Sequence, residues 1–73
     1  MTRPGAFADS LRVAIDRWGW TQHDAARAFG VTDATVSRWL SGRRAPQTAT
    51  ATRILAVLGV SLEELLEMGK ETG

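Results

Sequence analysis

The chain has 73 residues, no cysteine and a formal net charge of +1 at pH 7, which bounds it to one small domain with neither a disulfide framework nor a thiolate metal site to supplement its core. No apolar run reaches the roughly 18 to 20 residues of a membrane span, and residues 1–7 lack the apolar block of a signal peptide, so a soluble, cytoplasmic protein is expected. The small net charge hides a segregation: residues 1–60 carry eight arginines against four aspartates, whereas residues 61–73 carry Lys70 against Glu63, Glu64, Glu67 and Glu71. A basic body with an acidic tail suits a surface that faces phosphates, and ordinary surface charge is the plainer alternative.

Apolar spacing is helical throughout, and frequent stop signals cut the chain into five short helices with no strand, an all-α bundle with an ordered core over about 6–68. The first helix is predicted from Ala6 to Trp18, with Phe7, Leu11, Ala14, Ile15 and Trp18 on one face, Pro4 at or before its first turn and Gly19 as its stop. Thr21 is placed as the N-cap of the second, with Asp24 in a capping-box position and Gly30 closing it. Thr32 caps the third, which spans about 33–41, turns Val36, Trp39 and Leu40 inward and ends at Ser41-Gly42. Arg43-Arg44-Ala45-Pro46 reads as an exposed basic loop, because the residue before a proline is pushed out of helical geometry. A fourth helix over Thr48 to Leu58 buries Ala51, Ile54, Leu55 and Leu58 and stops at Gly59. Ser61 and Glu64 form a capping box for a fifth, whose apolar face is Leu62, Leu65 and Leu66 and whose stop is Gly69; the last four residues should fray.

Two short capped helices joined by a glycine-containing turn, here Thr21 to Gly42, have the layout of a helix-turn-helix, in which the second helix enters the major groove. That layout alone also occurs in proteins that never touch DNA. The residues carry more: TQHDAARAFGVTDATVSRWLSGRRAP, followed by LGVSLEELL at Leu58 to Leu66, resembles the Cro and phage-repressor (XRE-like, lambda-repressor-like) class of helix-turn-helix domains nearly position by position over residues 11–66. Thr21-Gln22, Ala26, Gly30, Val36, Gly42-Arg43 and Pro46 all fall in register.

The resemblance implies a sequence-specific regulator of transcription in a bacterial or phage-infected cell, near the nucleoid, a repressor of the Cro type that binds double-stranded DNA at a palindromic operator as a homodimer. It implies phosphate contacts from Gln22 at a helix N-terminus, from Thr32 and Ser41 at the ends of the third helix, and from Arg43 and Arg44 in the loop beyond. Base readout would fall to Asp33, Ala34, Thr35, Ser37 and Arg38. Arg38 has the reach for a bidentate guanine contact or for a phosphate. Asp33 could accept from a cytosine amino group or simply favour the helix N-terminus. Thr35 offers a methyl to thymine and a hydroxyl to phosphate. The dimer surface in such proteins is commonly built from the fourth and fifth helices, so Val57, Val60, Leu62, Leu65, Leu66 and Met68 form the candidate pool, some of them owed to the monomer core.

The sequence departs from the family in more than one place: Ala25 stands where a larger aliphatic residue is usual, Trp20 and Trp39 are bulkier than usual, and one further departure is coupled. Many members pair a buried arginine on the first helix with a glutamate near the end of the third, and the matching positions here are Ile15 and Leu40. Exchanging both charges for apolar groups is physically coherent, since losing one partner alone strands a buried charge, and Ile15 is expected to touch Leu40. Trp20 and Trp39 match apolar core positions; Trp18 could cover Leu11 and Ile15 or form part of an exposed patch. A protein-interaction module, an antitoxin or phage accessory factor using the acidic fifth helix, is the second reading. With His23 the single histidine and no nucleophile-base-orienter set, neither an enzyme nor a cofactor, metal or small-molecule ligand is expected. RNA binding is disfavoured because no aromatic stacking platform is apparent.

Overall fold

A computed structural model of the chain describes residues 6–70, with side chains over 7–70. Five helices follow one another, α1 (Ala6–Trp18), α2 (Gln22–Phe29), α3 (Asp33–Leu40), α4 (Thr48–Leu58) and α5 (Leu62–Lys70), and no strand occurs among the described residues. Their boundaries are set by side chains. Thr21 Oγ1 accepts from Asp24 N at 3.1 Å while Thr21 N donates to Asp24 Oδ2 at 2.9 Å, so two otherwise orphaned donors at the start of α2 are satisfied reciprocally. Ser61 and Glu64 do the same for α5, at 3.1 and 3.2 Å. Thr32 Oγ1 caps α3 by accepting from Thr35 N. Pro4 lies outside the described residues.

The stops matter most where α2 meets α3. Gly30 sits at φ 72°, with its own N–H bonded to Arg27 O and that of Val31 to Ala26 O. This paired arrangement satisfies two C-terminal carbonyls and needs left-handed backbone, which glycine adopts without steric cost. Gly42, at φ 77°, ends α3 in the same way, Gly42 N bonding Trp39 O and Arg43 N bonding Arg38 O.

Each helix contributes one fully buried large side chain: Leu11 from α1, Phe29 from α2, Val36 from α3, Ile54 from α4 and Leu65 from α5. Ala14, Ile15, Ala25, Ala26, Trp39 and Leu58 complete one continuous cluster. Small residues at 25 and 26 let α2 approach its neighbours closely, and Trp39, 4% exposed, supplies volume. Trp20 packs edge-on against Phe29, ring centroids 6.0 Å apart at 72°, the T-shaped geometry that aromatic quadrupoles favour. Trp18 remains 38% exposed.

Three expectations require correction. Ala51 and Leu55 are only half-buried, because α4 spends its innermost stripe on Ile54 and Leu58. Leu62 is 50% exposed rather than inward, being the first residue of α5 and beyond the reach of the core that Leu65 enters. Gly69 does not end α5. The helix runs on to Lys70, and Gly69 faces Ser10 on α1. A Cβ at 69 would stand 3.1 Å from both Ser10 Cα and Ser10 N, and nearer still to its Oγ. Glycine is there because two backbones meet, not because the chain turns. The fraying expected for the last four residues falls, past Lys70, outside the described residues.

Two stability predictions follow from these packing and capping arrangements. Gly69→Ala should lower the melting temperature, since overpacking against an unyielding backbone costs about 1–3 kcal/mol and outweighs the helix-propensity gain of about 1 kcal/mol; thermal unfolding with an unchanged or higher midpoint would refute the close-approach assignment. The second concerns pH. Hydrogen bonds from the backbone and then the side chain of Thr21 hold the Asp24 carboxyl below its ordinary range, assisted by His23 and Arg27. A carboxyl depressed by folding stabilises the native state above its unfolded pKa, and that contribution is lost as pH falls through the folded value. Wild-type melting temperature should therefore decline below about pH 4 more steeply than that of Asp24→Asn, measured over pH 2 to 6.

Candidate nucleic-acid interface

The outward face of α3 is defined by its inward one. Val36 and Trp39 are buried and Leu40 is half-buried, which leaves Asp33, Ala34, Ser37 and Arg38 exposed on the opposite side, with Ser41 just past the helix end, and Thr35 half-buried at the edge. These positions recur at helical spacing, so one continuous face carries a carboxylate, a methyl, two hydroxyls and a guanidinium. Arg43 and Arg44 are exposed in the loop that follows. The structure therefore brings the predicted base-reading residues together on one face and places the arginine loop directly beyond its C-terminal end.

Several of these side chains already have partners within the protein. Gln22 Nε2 donates to Asp33 O at 3.2 Å, so this predicted phosphate ligand ties the start of α2 to the start of α3. His23 Nδ1 lies 3.0 and 3.1 Å from the two carboxylate oxygens of Asp33. A carboxylate only accepts, so the imidazole carries its proton on Nδ1. The Thr32 and Thr35 hydroxyls lie 2.9 Å apart. Ser41 Oγ donates to Arg38 O at 2.9 Å, leaving its oxygen, but not its proton, facing outward.

The far end of α3 is held by a residue that sequence reasoning missed. Arg12 Nη2 donates to Leu40 O at 2.7 Å, a charge-assisted bond from α1 to the negative end of the α3 dipole. Ile15 belongs to the buried cluster, and Leu40 packs half-buried against it. A cation on α1 thus meets the end of α3 through a backbone carbonyl, that of Leu40. No spacing rule announces such a bond, because its acceptor is main chain and lies 28 residues away.

The dimer candidates separate by burial. Leu65 is fully buried and leaves the pool, because its side chain is the α5 contribution to the core. Val60, Leu66 and Met68 are half-buried; Val57 and Leu62 are 41% and 50% exposed. Among the described residues no cluster of three or more His, Cys, Asp or Glu side chains is placed to hold a metal ion, and no helix is long and apolar enough to cross a membrane.

No curated protein and no solved structure matches the chain significantly. A family model does: the helix-turn-helix model matches residues 11–65, about three quarters of the chain, and takes in all of α2, α3 and α4, the basic loop and the first half of α5. With the capped α2, the αL glycine turn, and an α3 whose polar face is turned outward, the chain belongs to the Cro/C1-type helix-turn-helix family of DNA-binding regulators.

Proposed function

We propose that this protein is a repressor of the Cro type that binds a palindromic operator as a homodimer, with α3 in the major groove. The observation that carries this reading is the exposed row Asp33, Ala34, Ser37 and Arg38 on a helix whose other face is locked by Val36 and Trp39. A rigid inner face lets an outer face present base-reading groups in fixed register. Arg38 reads a guanine edge, and Ala34 and Thr35 meet thymine methyls. Gln22, Thr32, Ser41, Arg43 and Arg44 lie at the two ends of α3 and serve the phosphates on either side, fixing register without carrying sequence information. Val57 and Leu62, large apolar side chains left exposed in a small protein, are the centre of the dimer face, with Val60, Leu66 and Met68 at its margin. Two-fold symmetry then sets the half-sites about 34 Å apart, one turn of the duplex.

Selection from randomised duplex DNA at two salt concentrations tests the reading. Enrichment of a palindrome with a steep salt dependence is the expected outcome; a single unpaired half-site would rule out the dimer. If no sequence is enriched, the same fold serves a protein partner and the repressor assignment is wrong. On the selected site, Arg38→Ala should cost about 1–3 kcal/mol and relax preference at one base pair per half-site. Arg43→Ala should instead weaken every sequence alike and reduce the slope of log K against log salt by about 0.9. Leu62→Glu should convert palindrome binding to half-site binding while leaving the melting temperature of the monomer nearly unchanged, because the side chain it replaces is already half in solvent; retained dimerisation in sedimentation would place the interface elsewhere.

A further inference from the structure

Asp33 is the one negative charge on the outward face of α3. It is the first residue of α3, its side chain is 56% exposed, and a free carboxylate there would repel the phosphates that the arginines attract. The structure answers this charge from the neighbouring helix. His23, in the first turn of α2 and 63% exposed, sets Nδ1 against both carboxylate oxygens, while Gln22 beside it holds the main-chain carbonyl of the same residue. Among the described residues His23 is the one ion-pair partner of Asp33. We propose that His23 is a positioning and counter-charge residue of the DNA interface, whose imidazolium cancels Asp33 at the leading end of α3 and so raises affinity for duplex DNA of any sequence. This inference rests on the DNA-binding reading of the fold.

Protonation changes the charge of this pair and not its geometry. Neutral imidazole keeps one N–H, which still donates to the carboxylate; the protonated ring adds a unit of positive charge without needing a new contact. The pair therefore passes from net −1 to net zero as His23 gains its proton. The surrounding charges are few. Asp24 adjoins His23 on α2, and Asp33 faces it from α3; Arg27 lies one turn along α2 and acts on Asp24. Of the other helices packed on α2, α3 adds Arg38 and α4 adds Arg53, whose guanidinium reaches to 3.5 Å from where a Cβ on Gly30 would stand, at the opposite end of α2. DNA itself favours the proton, because phosphates attract the cation, and by linkage the proton favours DNA.

The test uses the full chain and one 30-base-pair duplex of arbitrary sequence, titrated at several salt concentrations at pH 5.5 and pH 8.0, across the range in which histidine changes charge. Wild-type affinity should be about two- to fivefold higher at pH 5.5, the size of an exposed ion-pair contribution, and its salt slope steeper by up to about 0.9. His23→Gln, which keeps a donor but no charge, should hold the weaker affinity at both pH values. His23→Lys should hold the stronger one at both, and Asp33→Asn should bind at pH 8.0 at least as tightly as wild type does at pH 5.5. A pH dependence in His23→Gln equal to that of wild type would overturn the proposal while leaving DNA binding intact. Failure of wild type to bind the duplex at any salt or pH would overturn both. Melting temperatures of the variants separate a loss of fold from a loss of charge, and the salt slope would not move if His23 were merely structural.

Discussion

The whole molecule depends on five side chains that meet in its centre, one from each helix: Leu11, Phe29, Val36, Ile54 and Leu65. A domain of this size buries only a modest share of its surface, so no helix can be removed without opening the core that the others need. Each truncation to alanine at such a site costs about 2–5 kcal/mol, comparable with the entire stability of a small domain. This shared core is also what makes the interface possible. Val36 and Trp39 anchor α3 from within, and their burial leaves its other face free for recognition.

Anchoring the middle of a helix of eight residues does not by itself fix its ends. The protein holds each end with a different device. At the N-terminus, Gln22 and His23 reach across from α2 to Asp33, and Thr32 caps the first turn. At the C-terminus, Arg12 crosses from α1 to the Leu40 carbonyl, while Gly42 lets the chain reverse so that Arg43 and Arg44 continue beyond the helix end. Here a charge-assisted bond from Arg12 to the backbone joins α1 to the end of α3, beside the apolar positions Ile15 and Leu40. This arrangement avoids burying a pair of charges and keeps a cation at the favourable end of the helix dipole.

Charge is arranged at two scales. Along the chain, arginines fill the body and glutamates the end, which leaves α5 the acidic element: Glu63 and Glu64 in its first turn complement its own dipole, and Glu67 lies 3.5 Å from Lys70. Locally, each aspartate of the helix-turn-helix is occupied. Asp24 is held by the Thr21 capping box and Asp33 by His23, so the anions closest to the α2–α3 corner are engaged by the protein rather than displayed bare beside the arginines.

The sequence by itself determined the five helices and most of their limits, because caps and αL glycines are local devices: Thr21 with Asp24, Thr32, Ser61 with Glu64, Gly30 and Gly42 act within a few residues of where they stand. It also determined which face of α3 points inward, since the spacing of Val36 and Trp39 leaves little choice, and with the residue pattern of TQHDAARAFGVTDATVSRW the family. What only the tertiary structure decided depends on distance between helices. Gly69 reads locally as a stop, yet it is a contact point with Ser10, 59 positions away. Leu62 and Leu65 look equivalent on a helical wheel, but where α1 lies decides that one is exposed and the other buried. The Arg12 bond to Leu40 and the His23 pair with Asp33 join side chains across helices whose relative placement no periodicity encodes. Local chemistry is written in neighbouring residues, whereas close approach and charge pairing appear only when the core has brought distant segments together.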